Sequence, residues 1–347
     1  MDKIIFFATL VIFPFGQLFK IGIFNLFDVA VLLLAMVTLW RRPKYPEWYR
    51  YFIYFILSCF FGLLLNSSLL TLNSTLYLLR FWSYSMVAIY VFNNRDIHNS
   101  SFIILTSVAV VTATFGWLQY LIWPDLTFLK YLGWDDHLLR MVGTFLDPTY
   151  LGLIIVLGII IAGEYGLKKI LYFLLVSLAF TYSRSSYLIA ILFLIFKKQY
   201  LGLIIFALSI LVLPKMIGEG TNLTRTVSGN NKLINYSQTL EIIKKSPVVG
   251  IGFNNICPAR SFYLNDLNTD SHSCSGSDSS LLFLLATTGV VGLILFINFI
   301  VRIPTDKLLI YSFVAVLIHS IFANSLFYPH IMFWMFVLVG LQTEVDS

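Results

Sequence analysis

Residues 279–300 read SSLLFLLATTGVVGLILFINFI, a run without a single charged side chain. An α-helix rises 1.5 Å per residue, so about 20 apolar residues cross the hydrocarbon core of a bilayer. The run therefore predicts a transmembrane helix rather than an element of a soluble core.

Similar apolar runs recur along the whole chain. Hydrophobic residues make up 59% of the 347 positions and charged residues only 12%, where a soluble domain carries roughly 25%. We predict an all-α integral membrane protein, with residues 1–347 forming one polytopic domain and with no cleaved signal peptide at its start. About twelve transmembrane helices are expected, at residues 4–19, 24–40, 51–66, 74–92, 101–123, 148–163, 168–182, 185–197, 199–217, 279–300, 308–323 and 328–343.

The orientation follows from the positions of the basic residues. Cytoplasmic connectors of membrane proteins are enriched in Lys and Arg. With the N-terminus inside, each cytoplasmic connector contains such residues, and both termini are cytoplasmic. The connectors concerned are Arg41–Arg50, Arg95, Lys168-Lys169, Lys197-Lys198, and Arg302 with Lys307. The short segments 168–182 and 185–197 are either two helices joined by a tight turn or one broken helix, and the charge pattern favours two.

This orientation places three polar connectors outside: residues 124–147, the turn 182–186 and the long loop 218–278. Loops of that length are usually functional or disordered. Within it, residues 231–245 are typical of an amphipathic helix, with one apolar face formed by Leu233, Tyr236, Leu240 and Ile243. That face is expected either to lie on the membrane surface or to pack on neighbouring loops.

Four arginines fall on the predicted outer side: Arg80, Arg140, Arg184 and Arg225. Arg80 is explained either by a polar site or by snorkelling to the interface, and the others either by a site or as solvated loop residues. Guanidinium groups bind phosphate oxygens through two parallel hydrogen bonds. The cluster therefore indicates a site for a polyanion such as a diphosphate.

Two residues are candidates for acid–base chemistry: His272 and Asp278, which both lie in the long loop. The simpler explanation of Asp278 is capping of the helix that follows. Cys257 and Cys274 share the same outer loop, where a disulfide can form. We predict no metal site and no cofactor, because zinc-type ligand spacing and nucleotide-binding motifs are lacking. The scattered basic residues also argue against nucleic acid.

Several motifs together resemble the O-antigen polymerase and ligase superfamily of bacterial envelope glycosyltransferases. The matching segments occur in the order found in the family. They are the turn Arg140–Pro148, the serine–arginine turn Thr181–Ser186, Arg225 with the amphipathic segment and Ser246–Gly252, and the re-entry into the membrane from Asp278 through Leu293. Family members often have histidine–asparagine where this chain has Asp278-Ser279.

The resemblance implies an enzyme of the bacterial cytoplasmic (inner) membrane that acts on a glycan linked to undecaprenyl diphosphate. Its partners would be that donor, a glycan or lipid acceptor, membrane lipids and a chain-length regulator. Arg80, Arg140, Arg184 and Arg225 would bind the diphosphate, and Asp278 or His272, together with Arg184, would carry the catalysis. A polymerase is expected ahead of a ligase.

Two other classes of protein are alternatives. A flippase or transporter of lipid-linked oligosaccharides would place charged residues through the membrane midplane and would show a repeat between its halves. A scaffold protein of the envelope machinery would not need Arg225. The positions of the arginines favour the glycosyltransferase.

Overall fold

The computed structural model describes residues 2–21, 24–214, 221–224, 226–268, 274 and 276–342. Within these ranges the chain is built from α-helices, with two short β-hairpins. The helices are α1 (Asp2–Ile12), α2 (Leu26–Trp40), α3 (Glu47–Leu65), α4 (Leu72–Asn93), α5 (His98–Ile122), α6 (Pro148–Glu164), α7 (Lys168–Ala179), α8 (Arg184–Phe196), α9 (Tyr200–Leu211), α10 (Val227–Lys245), α11 (Ile256–Leu264), α12 (Ser280–Val301), α13 (Lys307–His319) and α14 (Pro329–Gly340). The hairpins pair β1 (Lys20–Ile21) with β2 (Phe24–Asn25), and β3 (Asp125–Leu126) with β4 (His137–Leu138).

Every predicted span overlaps one of these helices, namely α1 to α9 and α12 to α14. Four segments are long and apolar enough to cross a membrane: α3, α4, residues Ser101–Ile122 of α5, and α12. Six helices are apolar but shorter: α2, α6, α8, α9, α13 and α14. The protein is therefore an all-α integral membrane protein, and the number of crossings stays a prediction.

Helix α6 lies at the centre of the bundle. Every residue from Leu151 to Gly163 is buried, as expected for a helix that is apolar on all sides. Both α7 and α8 pack against it. They are two separate helices, because the chain turns between Ala179 and Arg184, where Tyr182 has a φ of 53° and its hydroxyl donates to the Pro214 carbonyl at 2.7 Å.

The connectors at one end of the bundle contact one another through ion pairs. Asp2 pairs with Arg41 at 2.6 Å, Lys3 pairs with Asp96, and Glu164 pairs with Lys197 at 2.6 Å. These contacts join α1 to the connectors after α2 and α4, and α6 to the end of α8. The same connectors are the ones that the charge pattern assigns to the cytoplasm.

Helix α12 is kinked at Gly289, which has a φ of 63° and a ψ of −170°. The kink frees backbone N–H groups, and the carbonyls of the segment after α10 accept them: Val290 N–H donates to Pro247 at 2.9 Å and Val291 N–H to Val248 at 3.1 Å. A non-helical backbone at membrane depth is stable only when its polar groups are paired within the protein. The two motifs Ser246–Gly252 and Asp278–Leu293, far apart in sequence, thus form one contact.

Helix α10 packs on α11 and α12 through a face other than the predicted one. Its buried residues are Asn235, Thr239 and Ile242, whereas Leu233 and Leu240 are exposed. The polar face is buried because it hydrogen-bonds to the segment before α12: the Asn235 side-chain carbonyl accepts the Asp278 N–H at 2.9 Å. A disulfide between Cys257 of α11 and Cys274 further ties α11 to the segment before α12.

The contact at the kink predicts that Gly289→Ala destabilises the protein more than Gly166→Ala. Both glycines have positive φ, which costs an alanine about 1–2 kcal/mol. A methyl group on Gly289 would also lie 2.3 Å from the Val248 carbonyl oxygen, whereas nothing lies within 4 Å of one on Gly166. The thermal unfolding midpoints of the purified variants in detergent measure the difference, and equal midpoints would contradict the contact.

Candidate functional site

A cavity with a volume of about 1410 Å³ and with both polar and apolar walls opens at one end of the bundle. Its walls come from the residues after α1, from the connector 124–147, and from the N-terminal parts of α4, α6, α8, α10, α12 and α14. These connectors are the ones that the charge pattern assigns to the outer side. The cavity therefore lies at the end opposite the ion pairs of Asp2, Lys3 and Glu164.

The described lining is richer in positive than in negative side chains. Its carboxylates are Asp135, Asp147 and Asp278. Its cations are Lys20, Arg80, Arg140, Arg184 and Lys232. Four of the six predicted site residues, Arg80, Arg140, Arg184 and Asp278, thus surround one space. Arg225 and His272 lie outside the described residues.

Arg80 lies within α4 and is held by a buried ion pair. Its Nη2 is 2.7 Å from an Asp28 carboxylate oxygen, and both side chains are under 10% exposed. The other Asp28 oxygen accepts the Tyr84 hydroxyl at 2.9 Å, and the Arg80 guanidinium lies 4.6 Å from the centre of the Tyr77 ring. Snorkelling does not describe this arginine, because it is fixed in the cavity wall by a specific partner.

Asp28, which was not predicted as a site residue, is the third residue of α2 and part of a capping box at its start. Asn25 accepts the Asp28 N–H at 2.8 Å, and the Asp28 carboxylate accepts the Asn25 N–H at 3.1 Å. The cap fixes the carboxylate at the start of the helix, where it faces Arg80. A lone carboxylate in the apolar segment 24–40 was a signal that could have identified it.

Arg140 is buried at the start of the turn that leads into α6. The side-chain oxygen of Gln119, from α5, accepts the backbone N–H groups of Val142 at 2.9 Å and Gly143 at 3.1 Å. Arg140 Nη2 donates to the Thr181 carbonyl at 3.3 Å. Asp147 then caps α6, as expected, by accepting the Thr149 N–H at 2.6 Å. These hydrogen bonds hold the turn in place. The bond from Arg140 to Thr181 joins the motif Arg140–Pro148 to the motif Thr181–Ser186.

Arg184 is the first residue of α8 and is exposed to the cavity. Its Nη1 approaches the Leu223 carbonyl at 3.5 Å, the limit of a hydrogen bond. Arg140 bonds to Thr181, three residues before Arg184, so the two guanidinium groups enter the cavity from adjoining segments. Both residues line the same cavity.

Asp278 lies at the cavity wall just before α12, but it does not cap that helix. The cap is Ser279, whose hydroxyl accepts the Leu282 N–H at 3.5 Å. Capping therefore does not explain Asp278. Asp266, in the same loop, is paired with Arg260 at 2.5 Å, and this hydrogen bond lowers the pKa of its carboxyl.

The cavity wall contains further groups that the sequence did not single out. His137, on β4, is 5% exposed and lies in the lining. Burial and, second, the nearby Arg140 lower the pKa of this imidazole. Tyr150 and Tyr328 stack in parallel with ring centres 3.7 Å apart. Burial also raises the pKa of Tyr236, in α10, to about 12, so its phenol stays protonated. Nothing in the local spacing of these residues marked them as neighbours.

Among the described residues, no three His, Cys, Asp or Glu side chains are grouped so that they could hold a metal ion. The positive charge of the site comes from guanidinium and ammonium groups.

Residues 170–297, just over a third of the chain, match a family model described as O-antigen ligase. The matched segment includes Arg184, the docked segment after α10 and the kinked α12. The match confirms the predicted resemblance to the O-antigen polymerase and ligase superfamily. No curated protein matches the chain.

The buried ion pair predicts non-additive effects of substitution. Asp28→Leu and Arg80→Leu each leave one buried charge without its partner and should each cost about 3–5 kcal/mol of stability. The double variant should lose clearly less stability than the sum of the two single losses, because it removes both charges. Thermal unfolding in detergent measures this, and strictly additive losses would contradict the coupling. As a control, Asp96→Ala breaks the exposed pair with Lys3 and should change little.

Proposed function

We propose that this chain is a membrane glycosyltransferase that extends glycans carried on undecaprenyl diphosphate at the extracytoplasmic face, as a polysaccharide polymerase. The observation that carries the proposal is the gathering of Arg80, Arg140, Arg184 and Asp278 around one cavity at an end of an apolar bundle. The family match supports the same class of chemistry.

The charges suit a diphosphate attached to a hydrocarbon chain. The cavity lies among apolar helices, so an isoprenoid can stay in the membrane while its head group reaches the arginines. Arg80 and Arg140 are both under 10% exposed. Electrostatic attraction to a phosphate is stronger there than in bulk water, because the surrounding dielectric constant is lower.

The proposed reaction transfers a sugar from the diphosphate to a hydroxyl group. An acceptor hydroxyl oxygen attacks the anomeric carbon of the donor, and the bond from that carbon to the diphosphate oxygen breaks. Arg80, Arg140 and Arg184, with Arg225 as a further predicted member, stabilise the negative charge of the departing diphosphate. Fixed positive charge at a developing anion is often the largest contribution to catalysis. Asp278 and His272 remain the predicted proton acceptors from the long loop, and no cofactor takes part.

The setting of the reaction follows from the charge pattern. We propose the bacterial inner membrane, with both termini in the cytoplasm and the cavity facing outward. The donor is a lipid-linked repeat unit, the acceptor is a second lipid-linked glycan, and a chain-length regulator is an expected partner.

A ligase is the second candidate, because the matching family model is described as O-antigen ligase. A ligase would transfer the finished glycan to a lipid or protein acceptor instead of to another lipid-linked glycan. A flippase is less well supported, since the described cations of the cavity lie near helix ends.

Deletion of the gene distinguishes the first two candidates. Loss of a polymerase leaves surface glycans capped with single repeat units, whereas loss of a ligase leaves lipid-linked polymer that does not reach the surface. We expect the single-unit phenotype on gels of extracted envelope glycans. Accumulated lipid-linked polymer would replace the polymerase assignment by the ligase.

Arg184→Ala should abolish glycan extension in a complemented deletion strain, because it removes a cation at the cavity without disturbing a buried ion pair. Arg184→Lys should keep part of the activity, since it keeps the charge and loses the bidentate geometry. Arg302→Ala, an exposed arginine after α12 that does not line the cavity, is the matched control and should leave chain length unchanged. Glycan of normal length from the Arg184→Ala strain, with equal protein levels, would refute the assignment.

A further inference from the structure

His137 belongs to the connector between α5 and α6, yet its side chain is buried. Its backbone pairs with Leu126 in the hairpin β3–β4, and its ring is 5% exposed while it lines the polar cavity. The hairpin is covered by a small apolar cluster of Leu126, Leu129 and Val142, which fixes it against the turn before α6.

Neither ring nitrogen of His137 has a hydrogen-bond partner among the described residues. A buried polar atom without a partner costs about 1–3 kcal/mol, so such atoms in native proteins call for an explanation. A group that binds in the cavity would provide the partner, because the ring forms part of the cavity wall. The imidazole therefore has both a donor and an acceptor available for a ligand.

His330 shows that lack of a partner alone is not enough. Its ring nitrogens are also unbonded among the described residues, but the ring is enclosed by aromatic side chains. It stacks on Phe27 at 4.4 Å and meets Phe145 edge to face at 4.8 Å. His330 does not line the cavity, and its ring acts as a packing group.

The carboxylates of the cavity are weaker candidates for a proton acceptor. Asp147 is engaged in capping α6 through the N–H groups of Thr149 and Tyr150, at 2.6 and 3.4 Å. Asp278 also lines the wall. Carboxylates as a class are weaker bases than imidazoles.

Burial and the nearby Arg140 keep His137 neutral in the absence of substrate. Burial lowers its pKa first and the positive charge of Arg140 adds to this, while Asp147, Asp135 and Asp136 act in the opposite direction. The ring is therefore unprotonated at neutral pH and can accept a proton. The three carboxylates then stabilise the imidazolium that forms.

We propose that His137 is a catalytic residue that accepts the proton of the acceptor hydroxyl during glycosyl transfer. The proposal rests on the function proposed above. As the hydroxyl oxygen bonds to the anomeric carbon, its proton moves to the free ring nitrogen, and the electron pair of the broken carbon–oxygen bond leaves with the diphosphate. Arg140, in the same turn, places the leaving group beside the base.

The test uses the full-length protein in nanodiscs, with undecaprenyl-diphosphate-linked repeat units extracted from the deletion strain as donor and acceptor. His137→Gln should lower kcat by roughly 10²–10⁴-fold and leave the donor KM nearly unchanged, because glutamine is polar but cannot take the proton. The wild-type rate should fall at acid pH, with a midpoint below the usual histidine value of about 6.5, and the variant should lose this acid limb. His330→Phe, a change in an aromatic cluster outside the cavity, is the control. It should keep both the wild-type kcat and the acid limb of the pH–rate profile.

Several outcomes would overturn the proposal. One is a His137→Gln variant with near-normal kcat and the acid limb intact. Another is a raised donor KM alone, which would make His137 a phosphate ligand. If Asp278→Asn removes the limb instead, Asp278 is the base. If His137→Gln does not fold, the temperature dependence of the acid limb in the wild-type pH–rate profile decides between the two bases. The midpoint of that limb falls on warming if the base is a histidine and stays constant if it is a carboxylate. Absence of transfer by the wild-type protein would refute the proposed function itself, before His137 is in question.

Discussion

The structure depends on one constraint, that polar groups inside the hydrocarbon of a bilayer must find partners within the protein. Helices satisfy their own backbone, and α6 shows the simplest result, a fully buried apolar helix. Departures from helix occur where another segment provides the missing partner. At the kink of α12 the carbonyls of Pro247 and Val248 take over the hydrogen bonds that Gly289 interrupts.

The same constraint separates the two ends of the bundle. At one end, ion pairs such as Asp2 with Arg41 link basic connectors to neighbouring helices. At the other end, cations line a cavity. Burying the charge of Arg80 without a partner would cost much stability. Asp28 offsets this cost by a hydrogen-bonded ion pair with Arg80 at 2.7 Å. The buried charge of Arg80 is therefore paired across helices and also lines a space large enough for a ligand.

Hydropathy and charge predicted much of this arrangement. Helix positions followed from apolar runs, and the arginines stood out because they interrupt such runs or occur on the side where Lys and Arg are scarce. Asp28 and His137 were missed for different reasons. Asp28 carried a readable signal, a carboxylate in an apolar segment, whereas His137 becomes important only through tertiary contacts that bring β4 to the cavity. The face on which α10 packs was not predicted, because Asn235 is buried against Asp278, a partner 43 residues away that periodicity cannot reveal. The predicted apolar face, with Leu233 and Leu240 exposed, stays open to the membrane surface.

The hydrogen bond from the Gln17 side chain to the Tyr328 hydroxyl, at 3.2 Å, joins positions that are 311 residues apart. Tyr328 also stacks on Tyr150, so the connector after α1, helix α6 and the start of α14 meet at one point of the cavity wall. This closure is impossible until α14 has entered the membrane. Until that contact forms, the arginines are present but the wall of the cavity is incomplete. The cavity is therefore completed only when segments near both ends of the described residues have packed together.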